Sequence, residues 1–568
     1  MSSPYAEKPW IKRYDEGIPA TIDIPDYPLF HFLEESASKY PEHTAIIFKG
    51  RRISYRQLNE LTDAIAAGLA ANGFKKGDRA VIYMPNVPQF VISYFGILKA
   101  GGIAIATNPL YTERELEHQL ADCGAETVFV MSLYYKQLKT VQRKGHTKVK
   151  RVIVTNVKEY FPPHLNVLFT LLKEKKEGHA AELEPGDMTF QDFLAMGKRA
   201  PKPNVTVTGN DIALLQYTGG TTGLAKGAIG LHRSLVANTL SLQTWIDWEY
   251  GKEGFLAAIP FFHVYGMVTA MIFAISIAGT QIIIVNPRDQ KDLLSSINKY
   301  QPAIFPGVPA LYNAININPD VAAGKYNIRS IRACISGSAP LLIETKRKFE
   351  ELTGGTLVEG FGMTETFVAT HANPIQGENR EGSIGLPIPN VECRIVNVED
   401  GVTDMPVGES GELIIKGPTV MQGYWQMPTE TANALRDGWL YSGDIAKMDD
   451  QGYFYITDRK KDMIIAGGYN IYPREVEEVL MTHPAVLEVS VAGVKDVRRG
   501  ESVKAWIVKR AGDPTTEEDI INWSKEQLAK YKYPRMIEFR DELPKTTVGK
   551  VLKRELVKQH EEQQKQTA

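Results

Sequence analysis

The stretch LQYTGGTTGLAKG, Leu215 to Gly227, is an apolar run that gives way to glycines, threonine hydroxyls and a lysine. Gly219, Gly220 and Gly223 let the backbone approach an anion and turn its N–H groups inward. Thr218, Thr221 and Thr222 add hydroxyl donors and Lys226 adds positive charge, a set suited to gripping a nucleoside triphosphate. The spacing is not the Walker pattern, which needs four residues between its glycines and Ser or Thr directly after Gly-Lys. Here Gly227 follows Lys226, so a kinase-type loop is excluded. Taken alone, the loop also reads as a flexible turn.

Five more clusters of reactive residue types follow in order. They are Glu359-Gly-Phe-Gly-Met-Thr-Glu-Thr366, Tyr441-Ser-Gly-Asp444, Asp458-Arg459 with Lys461, Ala466-Gly-Gly-Tyr-Asn-Ile-Tyr-Pro-Arg-Glu-Val476, and Pro544-Lys-Thr-Thr-Val-Gly-Lys550. Each falls at a predicted turn or strand end. The elements that must position them are helices alternating with short strands. Ser54-Tyr-Arg-Gln57 has the form of a capping box, after which Tyr55, Leu58, Leu61, Ile65 and Leu69 recur at helical spacing. The runs from Arg79 to Met84, Glu126 to Met131 and Val152 to Thr155 are short and β-branched, with a helical pattern from Glu113 to Leu120 between them. This alternation predicts parallel α/β layers. It continues through Phe255 to Ile259, Gln281 to Val285, Ala303 to Phe305 and Ile331 to Ile335, so a large N-terminal body of α/β sheets is expected.

Beyond Ile384 the texture changes to strands between glycine turns, Gly411 to Lys416 and Gly452 to Thr457, which predict a β subdomain. The charge cluster Asp458 to Asp462 reads equally as a solvated turn and as a junction. After it, a helix from Pro473 to Leu480, strands from Ala485 to Ala492 and Val503 to Val508, and a helix from Thr515 to Leu528 predict a small α+β C-terminal domain.

Composition narrows the class. At 568 residues more than one domain is expected, and 43% hydrophobic with 23% charged residues is ordinary for a globular protein. A net charge of −2 carries no basic footprint for a nucleic-acid partner. Three scattered cysteines, Cys123, Cys334 and Cys393, fit a reducing compartment and argue against a disulfide framework or a thiolate metal site. Met1 to Gly17 lacks the apolar run of a signal peptide, so a cytoplasmic location is expected. Gly266 to Val285 is nearly long enough to span a bilayer, but reads as a buried helix, a turn at Gly279-Thr280 and a core strand. The segment from Glu159 to Lys176 places aromatics before lysines, a pattern suited either to peripheral contact with a lipid surface or to packing on the body.

The five clusters and the threonine-glycine loop, in this order over nearly the whole chain, resemble the adenylate-forming superfamily of acyl-CoA synthetases, firefly-type luciferases and peptide-synthetase adenylation domains. Within it the pattern is most similar to bacterial long-chain fatty-acid–CoA ligases. The resemblance implies transfer of AMP from ATP to a carboxylate, with loss of pyrophosphate, and then attack by the thiol of coenzyme A. It assigns Lys550 as the catalytic lysine bridging carboxylate and α-phosphate, Glu365 as the Mg²⁺ ligand, and Thr364 as a donor to the α-phosphate. The loop from Thr218 to Lys226 would cover the outer phosphates. Asp444 would hold the ribose hydroxyls with Arg459 beside it. Gly337, Ser338, Ala339, Glu359, Gly360 and Phe361 would form the adenine slot.

The resemblance further implies residues 1–458 as the N-terminal domain, 459–461 as a hinge centred on Lys461, and 462–568 as a mobile C-terminal domain. Its rotation would bring Gly467 and Gly468 to the pantetheine channel. The segment Pro260-Phe-Phe-His-Val-Tyr-Gly266 resembles the family's acyl-tunnel lining, with His263 read equally as gate and as packing residue. Tyr265, Gly266, Gly307, Val308 and Leu311 are expected as the apolar wall. Two departures, Gly219 where many relatives carry Ser and Ala225 where they carry Pro, affect loop dynamics more than chemistry. Competing functions are an acyl-AMP ligase that loads a carrier protein in trans and a non-catalytic adenylate-binding protein; intact Lys550, Glu365 and Asp444 argue against the latter. Chain-length preference and oligomeric state are not encoded legibly.

Overall fold

The structure is a computed structural model that describes residues 3–218, 225–460, 462–466, 469–496, 500–546 and 549–567. It is a mixed α/β architecture with several sheets and a small C-terminal domain. The first sheet has seven strands, in the order Met188–Thr189, Arg151–Thr155, Thr127–Met131, Arg79–Tyr83, Ile103–Ala106, Ile212–Tyr217 and Gly227–Leu231. All neighbours are parallel except the last pair, which is an antiparallel hairpin. The β-branched runs of the sequence occupy its centre, buried on both faces as parallel strands require. Tyr55–Ala71 starts on the capping box, with Ser54 and Gln57 bonded reciprocally. Pro88–Lys99 is apolar on nearly every side and buried throughout, the pattern of a helix enclosed between layers.

A second sheet orders Gly254–Ala257, Thr280–Ile283, Thr44–Phe48 and Arg51–Ser54. Ile304 bridges Phe255 on one side and Ala333 on the other, so this sheet runs on into Ala333–Ser336, Thr356–Met363 and Val368–Ala372. Val264–Gly266, the π-helical Met267–Ile272 and Phe273–Ser276 form one buried helix before strand Thr280–Ile283. The long apolar segment is thus a core helix and strand, and no helix among the described residues is long and apolar enough to cross a membrane.

The β subdomain pairs Glu392–Val396, Gly411–Lys416, Trp439–Met448 and Phe454–Arg459 antiparallel. Its partner is the beginning of the chain. Trp10 is buried against Phe454, Tyr5 donates to Met405 O at 2.9 Å, and Asp15 accepts from the N–H groups of Ile375, Gln376 and Gly377. The C-terminal domain has its own sheet, built on the hairpin Val486–Asp496 and Gly500–Lys509, and its own apolar core around Ile471, Val476, Leu480 and Ile507.

Candidate active site

The hairpin at the edge of the seven-stranded sheet carries the threonine-glycine loop at its tip. Tyr217 is opposite Gly227, and Thr218 N–H donates to Lys226 O at 2.9 Å. Gly219, Gly220, Thr221, Thr222 and Gly223 lie outside the described residues. The feet, Thr218 and Lys226, line a cavity of about 490 Å³. The second strand is held from its free side, where Ile229 N–H donates to Gly423 O at 2.9 Å and Trp425 N–H to Gly227 O at 2.7 Å. This pairing brings Tyr424 and Glu430 to the loop. Lys226 forms an ion pair with Glu430 and stands 5.1 Å from the Tyr424 ring centroid. The Tyr424 hydroxyl donates to Glu365 Oε1 at 2.8 Å. One tyrosine therefore links the loop cation to the carboxylate expected to hold metal.

Glu365 and Thr364 reach the cavity because strand Thr356–Met363 ends in a single 3₁₀ turn, Thr364–Thr366. Thr366 Oγ1 accepts from Met363 N–H at 3.1 Å and fixes the turn. The chain then reverses through Phe367 at φ 48° and Val368 at φ 106°, the latter a strained value for a β-branched residue. Gly360 and Phe361 line one wall of the cavity, with Gly337 and Ser338 also on its lining. Ala339 and Glu359 are off the lining. Burial pushes the Glu359 carboxyl up to about 7, against the pull of the Arg474 guanidinium from the C-terminal domain. Behind Phe361, His371 is fully buried, 5.8 Å away between ring centroids, and pushed down to about 3 by burial, so it is neutral.

Asp444 and Arg459 are register partners on adjacent antiparallel strands, with Arg459 Nε 2.9 Å from Asp444 Oδ1. Asp444 is buried, while Arg459 is about a third exposed and lines the cavity. Next to them Asp458 accepts from Arg459 N–H at 2.6 Å and from Arg474 N–H at 2.8 Å. Burial raises its carboxyl to about 6. Lys461, Gly467 and Gly468 lie outside the described residues. Lys550 sits in a tight turn in which Thr546 N–H donates to Lys550 O at 2.8 Å and Gly549 N–H to Thr546 O at 3.0 Å. Gly549 faces Ala310 of helix Pro309–Asn316, and Thr546 and Lys550 of the C-terminal domain complete the lining of the cavity.

The apolar part of the lining includes Leu242, Trp245, Phe262, Val264, Ala372 and Ile388. His263 and Tyr265 are also on it. His263 Nδ1 accepts from Tyr265 N–H at 3.2 Å, and enclosure lowers the imidazole to about 4, leaving it neutral. Gln216 donates to Phe262 O at 3.0 Å and ties the hairpin of Ile212–Tyr217 and Gly227–Leu231 to this segment. Four expected wall residues, Gly266, Gly307, Val308 and Leu311, are not on the lining. A Cβ on Gly266 would stand 2.5 Å from Pro260 O, and one on Gly307 would stand 2.5 Å from the Tyr312 ring. Both glycines answer to close packing, and Val308 and Leu311 belong to the buried core. Of the residues that sequence reasoning missed, Tyr424, Glu430 and His371 belong to none of the recognised clusters, and Gln216 lies within the threonine-glycine stretch but drew no role from it. Only the aromatic pair after Gly423 offered a local signal.

Glu365 fits a Mg²⁺ ligand: it is an oxygen donor on the lining, oriented by the Tyr424 hydroxyl. Among the described residues no group of three or more His, Cys, Asp or Glu stands ready for a metal. A cation held by one carboxylate together with substrate phosphates needs none.

Residues 33–425 match the AMP-binding enzyme family and residues 475–550 its C-terminal domain. The chain belongs to this family of adenylate-forming enzymes. It is 44% identical over 564 residues, 98% of this chain and 99% of the relative, to the long-chain-fatty-acid–CoA ligase of Bacillus subtilis. It is 39% identical over 555 residues, 97% and 98% of the two chains, to the enzyme of the same name from Yersinia pestis. Among solved structures, ATP-bound MatB from Rhodopseudomonas palustris superposes with a TM-score of 0.81 at 29% identity, covering 94% of this chain and 98% of that one. A Mycobacterium tuberculosis fatty acyl CoA synthetase gives 0.68 at 27% identity, covering the same shares.

Proposed function

We propose that this chain is an ATP-dependent acid–thiol ligase that joins medium- or long-chain fatty acids to coenzyme A through an acyl-adenylate, releasing AMP and pyrophosphate. The observation that supports this most directly is the convergence on one cavity of Thr218, Lys226, Glu365, Phe361 and Lys550 with an apolar stretch around Trp245 and Leu242. The near full-length relatives named long-chain-fatty-acid–CoA ligase support the acyl class.

In this reading Phe361 stacks on adenine and Asp444, oriented by Arg459, accepts from the ribose hydroxyls. Thr364 donates to the α-phosphate, and Lys550 stabilises the charge shared by the attacking carboxylate and that phosphate. Mg²⁺, when bound, neutralises phosphate charge, and Glu365 would hold it. Neutral His263 borders the acyl side without placing a second cation beside the carboxylate. Residues 1–458 form the body, 459–461 the hinge and 462–568 the moving domain, whose rotation withdraws Lys550 and presents Gly467 and Gly468 to pantetheine.

The test follows pyrophosphate and AMP release across fatty acids of increasing length, with and without coenzyme A. Thioester formation that needs coenzyme A and rises with chain length, by about 0.8 kcal/mol per buried methylene until the pocket is full, is the expected result. Acetate or benzoate used as well as long chains refutes the acyl assignment. Acyl-adenylate that forms but is passed only to a carrier protein refutes coenzyme A as the acceptor.

A further inference from the structure

Helix Pro163–Leu172 turns the wrong face outward for a surface helix of a globular protein. Phe169 is its inward anchor, packed edge-on against Phe161 at 5.5 Å and His179 at 5.5 Å between centroids. The opposite side carries Val167, Leu168, Leu171 and Leu172, which are 59, 51, 75 and 63% exposed. At 100° per residue these four fall within one stripe, with Pro163 and His164 completing it one turn earlier. Scattered exposed aliphatic residues need no explanation, but four on a single face of one helix do.

The flank of the patch is basic. Lys173, Lys175 and Lys176 follow directly and are all exposed. Of the two glutamates among them, Glu174 is turned inward, accepting from Lys158 at 2.6 Å and Asn156 at 2.8 Å, while Glu177 pairs with Lys173 at 3.2 Å. Lys175 and Lys176 have no ion pair among the described residues. An exposed aliphatic stripe bordered by lysines is the composition of a helix that lies in a lipid headgroup layer.

We infer that helix Pro163–Leu172 with Lys173, Lys175 and Lys176 is a docking element for an anionic lipid surface, with Val167, Leu168, Leu171 and Leu172 inserted and the lysines against lipid phosphates. The inference deepens the proposed function, since a fatty-acid substrate partitions into the same phase. A second copy of the chain is the weaker occupant. The patch amounts to a few hundred Å², short of the about 800 Å² per partner that a stable dimer buries, and two copies face to face would oppose their own lysines.

The test is flotation of the full chain with vesicles of phosphatidylcholine alone and of phosphatidylcholine with phosphatidylglycerol, beside the variants Leu168→Ser/Leu171→Ser/Leu172→Ser and Lys175→Gln/Lys176→Gln. The wild type is expected to bind the anionic vesicles. Either variant should lower that binding by about tenfold or more, and the lysine part should fade at high salt. Urea midpoints and ligase activity on a soluble medium-chain acid should stay unchanged in both variants, because the substituted side chains are exposed. Absence of wild-type flotation, or equal flotation of all three proteins, overturns the inference. Concentration-dependent self-association in sedimentation, lost in the leucine variant and without vesicle binding, also overturns it and assigns the face to a contact between copies. Flotation that persists in an enzyme inactive on every fatty acid would leave the docking element standing and remove the substrate reading.

Discussion

Replacing Glu359 by Gln is expected to stabilise the protein, and to do so only at neutral and alkaline pH. Glu359 is 9% exposed, and burial raises its carboxyl from the usual 4.5 to about 7, while Arg474 only partly offsets the cost. A carboxyl raised in the folded state binds its proton more tightly there than in the unfolded chain. Its contribution to stability is therefore complete below about 4.5 and is lost as pH rises through about 7. Integrating the difference in bound protons between about pH 5 and about pH 8 gives a loss of about 2.5 kcal/mol for the wild type. Gln is the neutral counterpart of the protonated acid and escapes that loss. Asp458, raised to about 6, has the same sign but is present in both proteins and cancels in the comparison. The assay is urea unfolding of wild type and Glu359→Gln at the two pH values. The stability gap should widen by about 2–3 kcal/mol in favour of Gln at the higher pH. A gap that is the same at both would show that Glu359 titrates as an ordinary surface carboxyl, and that its burial against the C-terminal domain is not the environment described.

The two half-reactions should separate by residue. Lys550→Ala should lose about 10²–10³-fold or more in pyrophosphate release while still converting supplied acyl-AMP and coenzyme A to thioester. Lys461→Pro should keep adenylation and lose thioester formation, since proline restricts the proposed pivot; equal loss of both steps in both folded variants would refute domain alternation. Asp444→Ala should cost roughly 2–4 kcal/mol in kcat/KM for ATP, with little change for fatty acid, checked by initial rates at varied ATP. Gly266→Ala should destabilise by about 1–3 kcal/mol, read from the urea midpoint, with an unchanged chain-length profile, because its Cβ meets the carbonyls of Ile259 and Pro260 and lies off the cavity.

What local pattern controls was legible. The Ser54-Gln57 capping box, the β-branched parallel strands and the break at Gly279 are decided by neighbours in sequence, and they stand where the periodicity puts them. The helix expected from Pro473 to Leu480 runs Pro473–Met481 for the same reason. The ordered motifs carried the family. What sequence could not supply is which distant groups meet. Tyr424 reaches Glu365 because its loop pairs along the free edge of the Gly227–Leu231 strand and Met421 N–H donates to Glu365 O, and Glu430 reaches Lys226 from the same stretch of chain. Gly266 and Gly307 read in the sequence as space for an acyl tail, and in the structure Pro260 O and the Tyr312 ring stand where their side chains would be; a small residue in a sequence does not reveal whether ligand or protein fills the room beside it.

The attachment of the first residues to the β subdomain bears on how the protein is made. Tyr5 and Asp15 are held by residues roughly 360 to 400 positions later, and Trp10 by Phe454. During synthesis at about 5–20 residues per second, this opening segment must wait on the order of tens of seconds for its partners. Its buried tryptophan stays accessible for that whole interval. The β subdomain in turn emerges into a cell where its covering has long been waiting, so the last stage of assembling the body is the return of the oldest part of the chain. A chaperone that shields Trp10 early, or a stall before Phe454 emerges, would act on this step.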